Sequence, residues 1–190
     1  MIQISNLSFS YGKNTVLKNL NLNIKKGDRI CLMGKSGIGK TTLLKIIIGL
    51  IKGYEGSVKI NNNAKFSVVF QEDRLLPFKT VAQNLALFAT RDSALEALEA
   101  LGVLDVADKY PAQLSGGQAR RVAIARALAT KGDIYVLDEP FNAIDQENIA
   151  VAANYINKIT AEKTLIAVSH MENAATLLNT ATVDIKNLMC

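Results

Sequence analysis

The sequence predicts a single α/β domain in which a mixed sheet surrounds a parallel core, with N-terminal antiparallel strands and a small helical insertion. Two alternating runs, residues 2–9 and 15–24, are typical of half-buried antiparallel strands. Two continuous apolar runs, residues 134–137 and 164–168, are typical of strands covered on both faces. Residues 80–130 follow a helical period without a convincing strand. The helical segment therefore interrupts a sheet that starts before it and continues after it.

The first two strands are joined by residues 11–14, Tyr-Gly-Lys-Asn, a composition that favours a turn. In the second strand Leu20, Leu22 and Ile24 alternate with asparagines, which predicts one buried face. Further strands are expected at residues 58–60 and 64–70.

Residues 34–41 read Gly-Lys-Ser-Gly-Ile-Gly-Lys-Thr and match the phosphate-loop pattern of a glycine, four residues, Gly-Lys and a hydroxyl residue. The glycines let successive backbone N–H groups point at one phosphate. An apolar strand at residues 29–33 precedes the loop, and an apolar helix at residues 42–48 follows it. We therefore expect a P-loop NTPase core. Its candidate nucleotide-binding residues are Gly34, Lys35, Ser36, Gly37, Ile38, Gly39, Lys40, Thr41 and Thr42.

The helical segment begins with a candidate capping box at residues 93–96, Ser-Ala-Leu-Glu. The predicted helix carries a stripe of three leucines and ends at Gly102. The leucines are Leu95, Leu98 and Leu101. A second short helix is expected at residues 105–110, ending before Pro111.

Residues 114–118, Leu-Ser-Gly-Gly-Gln, open the next predicted helix, which carries Arg120, Ile124 and Leu128. Ser115 and Gln118 have capping-box spacing. The two buried strands then place Asp138 and Glu139, and later Ser169 and His170, at their carboxyl ends. Ligands of open α/β sheets bind at that edge, so these side chains are expected beside the phosphates.

The order of these motifs resembles the ATP-binding subunit of an ABC transporter. Leu-Ser-Gly-Gly-Gln matches that family's signature, and the phosphate loop, Gln71, the signature, Asp138-Glu139, Asp145 and His170 follow in the family's order. The resemblance covers about residues 2–185. It implies one ABC ATPase domain over residues 1–190, with a core of 1–78 and 131–190 and a helical insertion of about 79–130.

The resemblance also implies roles in a site for ATP and Mg²⁺. Catalysis would rest on Glu139 as the base or water-polarising group, with His170 at the γ-phosphate and Gln71 at the attacking water. The metal would be held by Thr41, Gln71 and Asp138. Taken alone, paired carboxylates are often a solvated turn, and a lone histidine or glutamine is often structural or exposed.

Two further roles concern the base and the second subunit. Tyr11 corresponds to the aromatic residue that stacks on adenine, although a turn tyrosine is commonly a packing residue. The signature residues Ser115, Gly116, Gly117 and Gln118 would meet ATP held by the opposite subunit. Asp145 would lie in the loop that contacts the dimer partner. The resemblance thus implies a head-to-tail dimer of this chain with itself or with a related ATPase subunit.

The implied function is ATP hydrolysis that powers solute transport through a separate membrane permease. Residues 71–78 resemble importers of small oxyanions such as nitrate, sulfonates and taurine, which favours import and adds a substrate-binding protein as a possible partner. Export stays open, as does a soluble ABC ATPase acting on nucleic acid or ribosomes. A GTPase or small-molecule kinase lacks support, because residues 157–160, Asn-Lys-Ile-Thr, fail the guanine motif.

Composition limits the partners. The net charge of +5 and pI of about 9.2 could attract nucleic acid, but the basic residues are scattered, and no nucleic-acid partner is expected. Apolar stretches such as residues 46–51 fall short of the ~20 residues of a membrane span. The N-terminus lacks a secretory pattern. We expect a cytoplasmic protein, peripheral at the inner membrane face through its permease, with Cys31 and Cys190 as free thiols.

Overall fold

A computed structural model describes residues 1–61 and 63–189. The strands of this part are β1 (Ile2–Tyr11), β2 (Asn14–Ile24), β3 (Arg29–Met33), β4 (Glu55–Ile60), β5 (Phe66–Val69), β6 (Ile134–Asp138), β7 (Thr164–Val168) and β8 (Ala181–Asp184). The α-helices are α1 (Lys40–Ile47), α2 (Val81–Ala86), α3 (Arg91–Ala100), α4 (Gly116–Ala129), α5 (Gln146–Ile159) and α6 (Ala174–Leu177). Short 3₁₀ helices span Leu104–Val106, Pro111–Gln113 and Ile185–Leu188.

The strands form two sheets. The antiparallel sheet has the order β2-β1-β4, and the parallel sheet has the order β5-β6-β7-β3-β8. This arrangement confirms the predicted α/β class with N-terminal antiparallel strands, and it places the two kinds of strand in separate sheets. In the parallel sheet Asp138 is in register with Val168, and Val168 with Leu32. The ends of β3, β6 and β7 therefore meet at one edge.

The parallel strands separate two apolar cores, as a sheet covered on both faces should. All five residues of both β6 and β7 are buried. Alternate residues such as Tyr135 and Leu137 face a cluster with the helices α2–α5. Their neighbours Ile134 and Val136 face a second cluster with α1 and the antiparallel sheet.

The predicted alternation of β2 holds for only part of the strand. Leu20 and Ile24 are buried, whereas Leu22 is half-buried. Leu17 is also buried, three residues before Leu20, because the strand is irregular between them. Asn19 there adopts a left-handed conformation with φ of 50°. This irregularity lets both leucines face the core.

The capping box predicted at residues 93–96 is wrong. Helix α3 begins earlier, with Thr90 as its N-cap, and the Thr90 hydroxyl accepts a hydrogen bond from Ser93 N at 3.3 Å. Leu95 is 37% exposed, so the leucine stripe is wrong in this member. The buried positions are Ala94, Ala97, Leu98 and Leu101. Their spacing follows the 3.6-residue period, whereas leucines three apart drift around the helix.

The short helix predicted at residues 105–110 forms only as one 3₁₀ turn at Leu104–Val106, and a second 3₁₀ turn follows at Pro111–Gln113. The reason lies in the first turn of α2. The N–H of Val81 donates to Lys109 O at 2.9 Å, and that of Ala82 donates to Ala107 O at 2.8 Å. Those carbonyls cap another helix, and Pro111 has no N–H to continue a helix.

Helices α2, α3 and α4 fall within residues 79–130, and α4 packs against β5 and α5. The division into a core and a helical insertion stays a prediction. Over residues 1–61 and 63–189, none of the helices has the length and hydropathy needed to cross a membrane. Cys31 is a buried free cysteine, and Cys190 lies outside the described residues.

Candidate functional site

The phosphate-loop segment connects the end of β3 to the start of α1. Gly39 precedes α1 with φ of 108°, and a Cβ atom there would lie 2.7 Å from Leu17 Cδ2. Glycine is therefore required by both its conformation and its contact with β2. No side chain caps α1. Its first-turn N–H groups and the positive end of its dipole face the loop, as in anion sites at helix N-termini.

Lys40 is buried inside its own loop, with 5% of its surface exposed. Its Nζ donates to Gly34 O at 2.7 Å and to Lys35 O at 3.0 Å. These bonds hold a cation beside the start of α1 without a carboxylate partner in the described chain. An ammonium held in this way can form further hydrogen bonds to phosphate oxygens, because it has three donors.

A cavity of about 270 Å³ opens beside the loop. It brings together most of the predicted site residues. Its lining is Tyr11, Val16, Ser36, Gly37, Gly39, Lys40, Thr41, Thr42, Gln71, Glu139, Val168 and His170. Gly34, Lys35 and Ile38 do not line it. Gly34 and Lys35 hold the Lys40 ammonium through their carbonyls, and Ile38 packs against the apolar cluster around α1.

Thr41 lines this cavity and forms an oxygen pair with Asp138, which does not line it. The Thr41 hydroxyl donates to Asp138 Oδ1 at 3.2 Å, across from α1 to the end of β6. Burial raises the pKa of Asp138 above its usual value, and the hydrogen bond from Thr41 opposes this effect. A hydroxyl and a carboxylate are hard oxygen donors, so this pair fits Mg²⁺. Gln71 and Thr41 also line a smaller cavity of about 40 Å³ with Asp138.

Glu139 and His170 meet at the same edge. Glu139 Oε2 accepts a hydrogen bond from His170 N at 3.1 Å, and Oε1 lies 3.2 Å from His170 Nε2. The second pair lacks hydrogen-bond alignment, so Oε1 is buried without a hydrogen-bond donor among the described residues. Glu139 adopts φ of 51°, a conformation that costs a non-glycine residue roughly 1–3 kcal/mol. The fold thus holds a strained carboxylate at the cavity.

Tyr11 and Gln71 are exposed side chains at the cavity rim. Tyr11 is 51% exposed, and its ring lies at a right angle to that of Phe9, with centroids 4.9 Å apart. An exposed aromatic ring can cover a planar group. Gln71 lies two residues after the end of β5 and lines both cavities. The structure therefore places both residues near the loop, as the sequence interpretation requires, while their roles stay predictions.

The four signature residues lie elsewhere. The capping box of Ser115 is confirmed, because its Oγ accepts from Gln118 N at 3.2 Å and Gln118 Oε1 accepts from Ser115 N at 3.0 Å. Neither these residues nor Gly116 and Gly117 line the cavity. A Cβ atom on Gly117 would lie 2.9 Å from Ala143 O, so the start of α4 packs against the loop that leads to Asp145.

Asp145 caps helix α5. Its Oδ1 accepts from Asn148 N at 3.0 Å, and these bonds to Asn148 lower its pKa. Arg121 of α4 donates to Asn148 Oδ1 at 3.1 Å. Asp145 is thereby held beside the signature helix, away from the cavity.

The sequence interpretation missed two residues of the site. Val16 contacts the position of Gly39 and lines the cavity, but its only signal was a place in a strand. Arg120 is 2% exposed, and its guanidinium contacts the carbonyls of Asp138 and Glu139. Arg120 lies four and eight residues before Ile124 and Leu128, and therefore on the same face of the helix. An arginine on an apolar helix face indicates burial, so the sequence did contain a signal for it.

A phosphate loop at the start of an uncapped helix, close to two carboxylates at the carboxyl edge of a parallel sheet, defines a P-loop NTPase. The family model described as "ABC transporter" matches residues 17–142. Similarity to known relatives extends over nearly the whole chain. The ergothioneine transport ATP-binding protein EgtV of Helicobacter pylori is 38% identical, over 99% of this chain and 98% of EgtV. This chain belongs to the ABC transporter family and is an ATP-binding, ATP-hydrolysing subunit.

Other similar proteins extend this result. The probable ABC transporter ATP-binding protein PEB1C of Campylobacter jejuni is 37% identical, over 90% of this chain and 80% of PEB1C. Among solved structures, the dimeric ABC transporter cassette MJ0796 has a TM-score of 0.85 and 34% identity, covering 93% of this chain and 91% of the other. A structure of the same cassette in a post-hydrolysis state contains ADP and Pi, with a TM-score of 0.83.

Proposed function

We propose that this chain hydrolyses Mg²⁺-ATP as one half of a head-to-tail dimer and powers solute import through a separate membrane permease. The main support for the proposal is that the phosphate loop and the signature residues lie in different places. The phosphate loop, Glu139 and His170 share one cavity, whereas the signature residues lie outside it. One chain therefore holds one half of each of two nucleotide sites, and a second copy or a related subunit supplies the other half.

ATP would bind along the cavity from Tyr11 to the phosphate loop. The N–H groups from Gly37 to Lys40 and the start of α1 suit the β-phosphate. Lys40 would add its ammonium at the β- and γ-phosphates, since one of its three donors is not used by the carbonyls of Gly34 and Lys35. Tyr11 would cover the adenine with its exposed ring face. Ser36 and Thr42 line the same cavity and would add hydroxyl contacts.

Thr41 and Asp138 would hold Mg²⁺, with Gln71 as a further oxygen ligand. The ion would neutralise charge on the β- and γ-phosphates. The hydrogen bond from the Thr41 hydroxyl to Asp138 Oδ1 already brings these two oxygens together. Asp138 is 6% exposed, so its ionised form needs a nearby positive charge.

Glu139 would accept the proton of the attacking water. Glu139 lines the cavity, and its Oε1 is buried without a hydrogen-bond donor in the described chain, so this oxygen is the acceptor left for the attacking water when nucleotide is bound. Oε2 is held by His170 N, which fixes the orientation of the carboxylate. The His170 ring is 54% exposed and would reach the γ-phosphate of bound ATP. Gln71 would orient the same water from the opposite rim.

The membrane partner would dock beside residues 75–78. Leu75 is half-buried against the helical core, and Asn84 holds Leu76 through its backbone, with Leu76 N donating to Asn84 Oδ1 at 2.8 Å. Phe78 is 71% exposed, and Phe88 is 59% exposed. The first two residues therefore fit a sealing role, and the phenylalanines fit an interface. This placement would put the chain at the cytoplasmic membrane face.

Several similar proteins are importer subunits by name, including the glutamine transport protein GlnQ of Bacillus subtilis, 38% identical over 90% of this chain, and the aliphatic sulfonates import protein SsuB 2 of Frankia alni, 45% identical over 76%. They support import, and a substrate-binding protein would complete such a system. The transported solute is selected by those partners.

The dimer proposal is tested with Glu139→Gln. An amide holds a water but does not take its proton, so ATP binding should persist while hydrolysis falls by about 10²–10⁴-fold. The uncleaved ATP should hold two chains together, which gel filtration with and without Mg²⁺-ATP detects. Glu162→Gln is the matched control, since Glu162 is exposed and remote from the cavity. A monomeric profile of Glu139→Gln at high protein and ATP concentrations would contradict the sandwich.

The docking proposal is tested by crosslinking. Phe78→Cys, in a chain with Cys31→Ser and Cys190→Ser, should crosslink to cysteines in cytoplasmic loops of the co-expressed permease. Lys18→Cys on the exposed side of β2 should not. Absence of crosslinks from position 78 in a complex that still hydrolyses ATP would exclude this face.

A further inference from the structure

Arg120 connects helix α4 to two of the three segments that carry proposed catalytic side chains, those of Gln71 and Glu139. It lies in α4, five residues after Ser115, and is 2% exposed. A buried cation is costly unless its donors are paired. The pairing of this guanidinium shows what the residue does.

One side of the guanidinium holds the segment of Gln71. Arg120 Nη1 donates to Phe70 O at 2.5 Å and, more weakly, to Gln71 O at 3.4 Å. The same nitrogen lies 3.1 Å from Asp73 Oδ1, which supplies the counter-charge. The backbone on both sides of the Gln71 peptide is therefore tied to one side chain.

The other side holds the segment of Glu139. Arg120 Nη2 donates to Asp138 O at 2.6 Å and to Glu139 O at 2.7 Å, and Nε donates to Pro140 O at 3.3 Å. Glu139 is the residue with φ of 51°, and its own N–H donates to Val168 O at 2.9 Å. The strained residue is thus fixed from β7 through its N–H and from α4 through its carbonyl.

The two neighbouring arginines of α4 do not share this arrangement. Arg121 donates to Leu101 O and Gly102 O, and so ties α4 to the end of α3. Arg126 donates to Asp73 O and Arg74 O, on the Gln71 side only. Of these three arginines, Arg120 alone contacts both segments.

We propose that Arg120 is a positioning residue for ATP hydrolysis, whose planar fork sets the distance between Gln71 and Glu139 and fixes both to the signature helix. This inference rests on the proposed function, because the roles of Gln71 and Glu139 belong to it. Arg120 does not line the nucleotide cavity, so it acts through those two residues. A misplacement of about 1 Å at a reacting group costs on the order of 10²-fold in rate.

The proposed role of Arg120 depends on the shape of the guanidinium as well as on its charge. Lysine keeps the positive charge, but its single ammonium is a point donor and lacks the planar fork that spans two directions. Arg120→Lys should therefore behave like Arg120→Met, which keeps much of the side-chain volume and removes all donors.

The test compares kcat with ATP affinity in the full-length chain. We expect kcat to fall about 100-fold in Arg120→Met and in Arg120→Lys, with the Kd for Mg²⁺-ATP within about threefold of the parent. Arg29→Met is the matched control. Arg29, at the start of β3, donates to carbonyls such as Leu178 O and to Asn157 Oδ1, away from the cavity. That variant should unfold at a lower temperature yet keep the parental kcat while folded.

The outcomes are distinct. If folded Arg120→Met or Arg120→Lys keeps the parental kcat, or if kcat falls equally in Arg29→Met, the proposal is overturned. Should neither Arg120 variant fold, Asp73→Asn decides, because it removes only the counter-charge that orients the fork. A several-fold loss of kcat at unchanged ATP affinity supports the proposal, and an unchanged kcat overturns it. Absence of hydrolysis in the parent chain would instead refute the proposed function.

Discussion

Helices α1 and α4 both begin at segments that the sequence marks for phosphate, but their first turns are built differently. Helix α1 follows Gly39 and has no side-chain cap, so its N–H groups face a cavity that also holds Lys40. Helix α4 follows Ser115, whose hydroxyl already accepts from Gln118 N. The first helix start is prepared to receive an anion within this chain. In the second, a capping box already pairs two of the N–H groups, those of Ser115 and Gln118.

The largest effect is expected from a substitution of Lys40, at the start of helix α1. Lys40→Ala removes the only ammonium among the residues lining the cavity, so the affinity for Mg²⁺-ATP should fall by about 100-fold, on the order of one charge-assisted hydrogen bond. The variant should remain folded by circular dichroism, because the loop is anchored by β3 and α1. Lys52→Ala removes an exposed lysine of equal charge and should bind like the parent. Equal affinities in the two variants would refute the phosphate-loop assignment.

The two capping boxes of α2 and α4 offer a sharper comparison. Thr80 Oγ1 accepts from Gln83 N at 3.3 Å, much as Ser115 accepts from Gln118 N. Ser115→Ala and Thr80→Ala should each lower the free energy of unfolding by about 1 kcal/mol in urea titrations. Only Ser115→Ala should also reduce ATP hydrolysis, by about tenfold, since only that hydroxyl would meet a phosphate. Equal hydrolysis in both variants would confine Ser115 to capping.

The smallest effect is expected for the unfolding temperature of an Asp138 variant. Burial raises its pKa, so the folded protein prefers the protonated carboxyl. The stability this preference contributes is complete below the unfolded-state pKa and is lost as the pH rises through the raised value. At pH 7, nucleotide-free Asp138→Asn should therefore unfold at the same or a higher temperature than the parent, while losing Mg²⁺-dependent hydrolysis. Thermal unfolding at pH 4 and pH 7 measures this, and a variant less stable at pH 7 than at pH 4, relative to the parent, would contradict the sign.

Some strands and helix caps could be predicted from the sequence because local chemistry specifies them. Strands β3 and β7 were predicted with their observed bounds, since apolar runs of five residues between polar segments fit a covered parallel sheet. The capping box of Ser115 was predicted correctly, whereas the similar pattern at Ser93 was wrong because Thr90 starts that helix. A capping pattern is local, but which of two hydroxyl residues caps a helix depends on what the helix packs against.

The candidate site divides in the same way. The residue types of the phosphate loop, together with Asp138, Glu139 and His170, follow from motifs and strand ends that any reader of the sequence can find. The hydrogen bond between His170 N and Glu139 Oε2 joins residues 31 positions apart and follows from the pairing of β6 with β7. The contact of Val16 with Gly39 likewise requires β2 to pack on the loop.

The sequence by itself determined the family, the order of the motifs, and the strand ends at which charged side chains collect, because motif spacing and apolar runs are local properties. The tertiary structure alone decided which of those residues share a cavity, that the signature lies outside it, and that Arg120 is buried between two loops. Such facts depend on distances between segments far apart in the chain. They arise only when sheet register and helix packing bring those segments together.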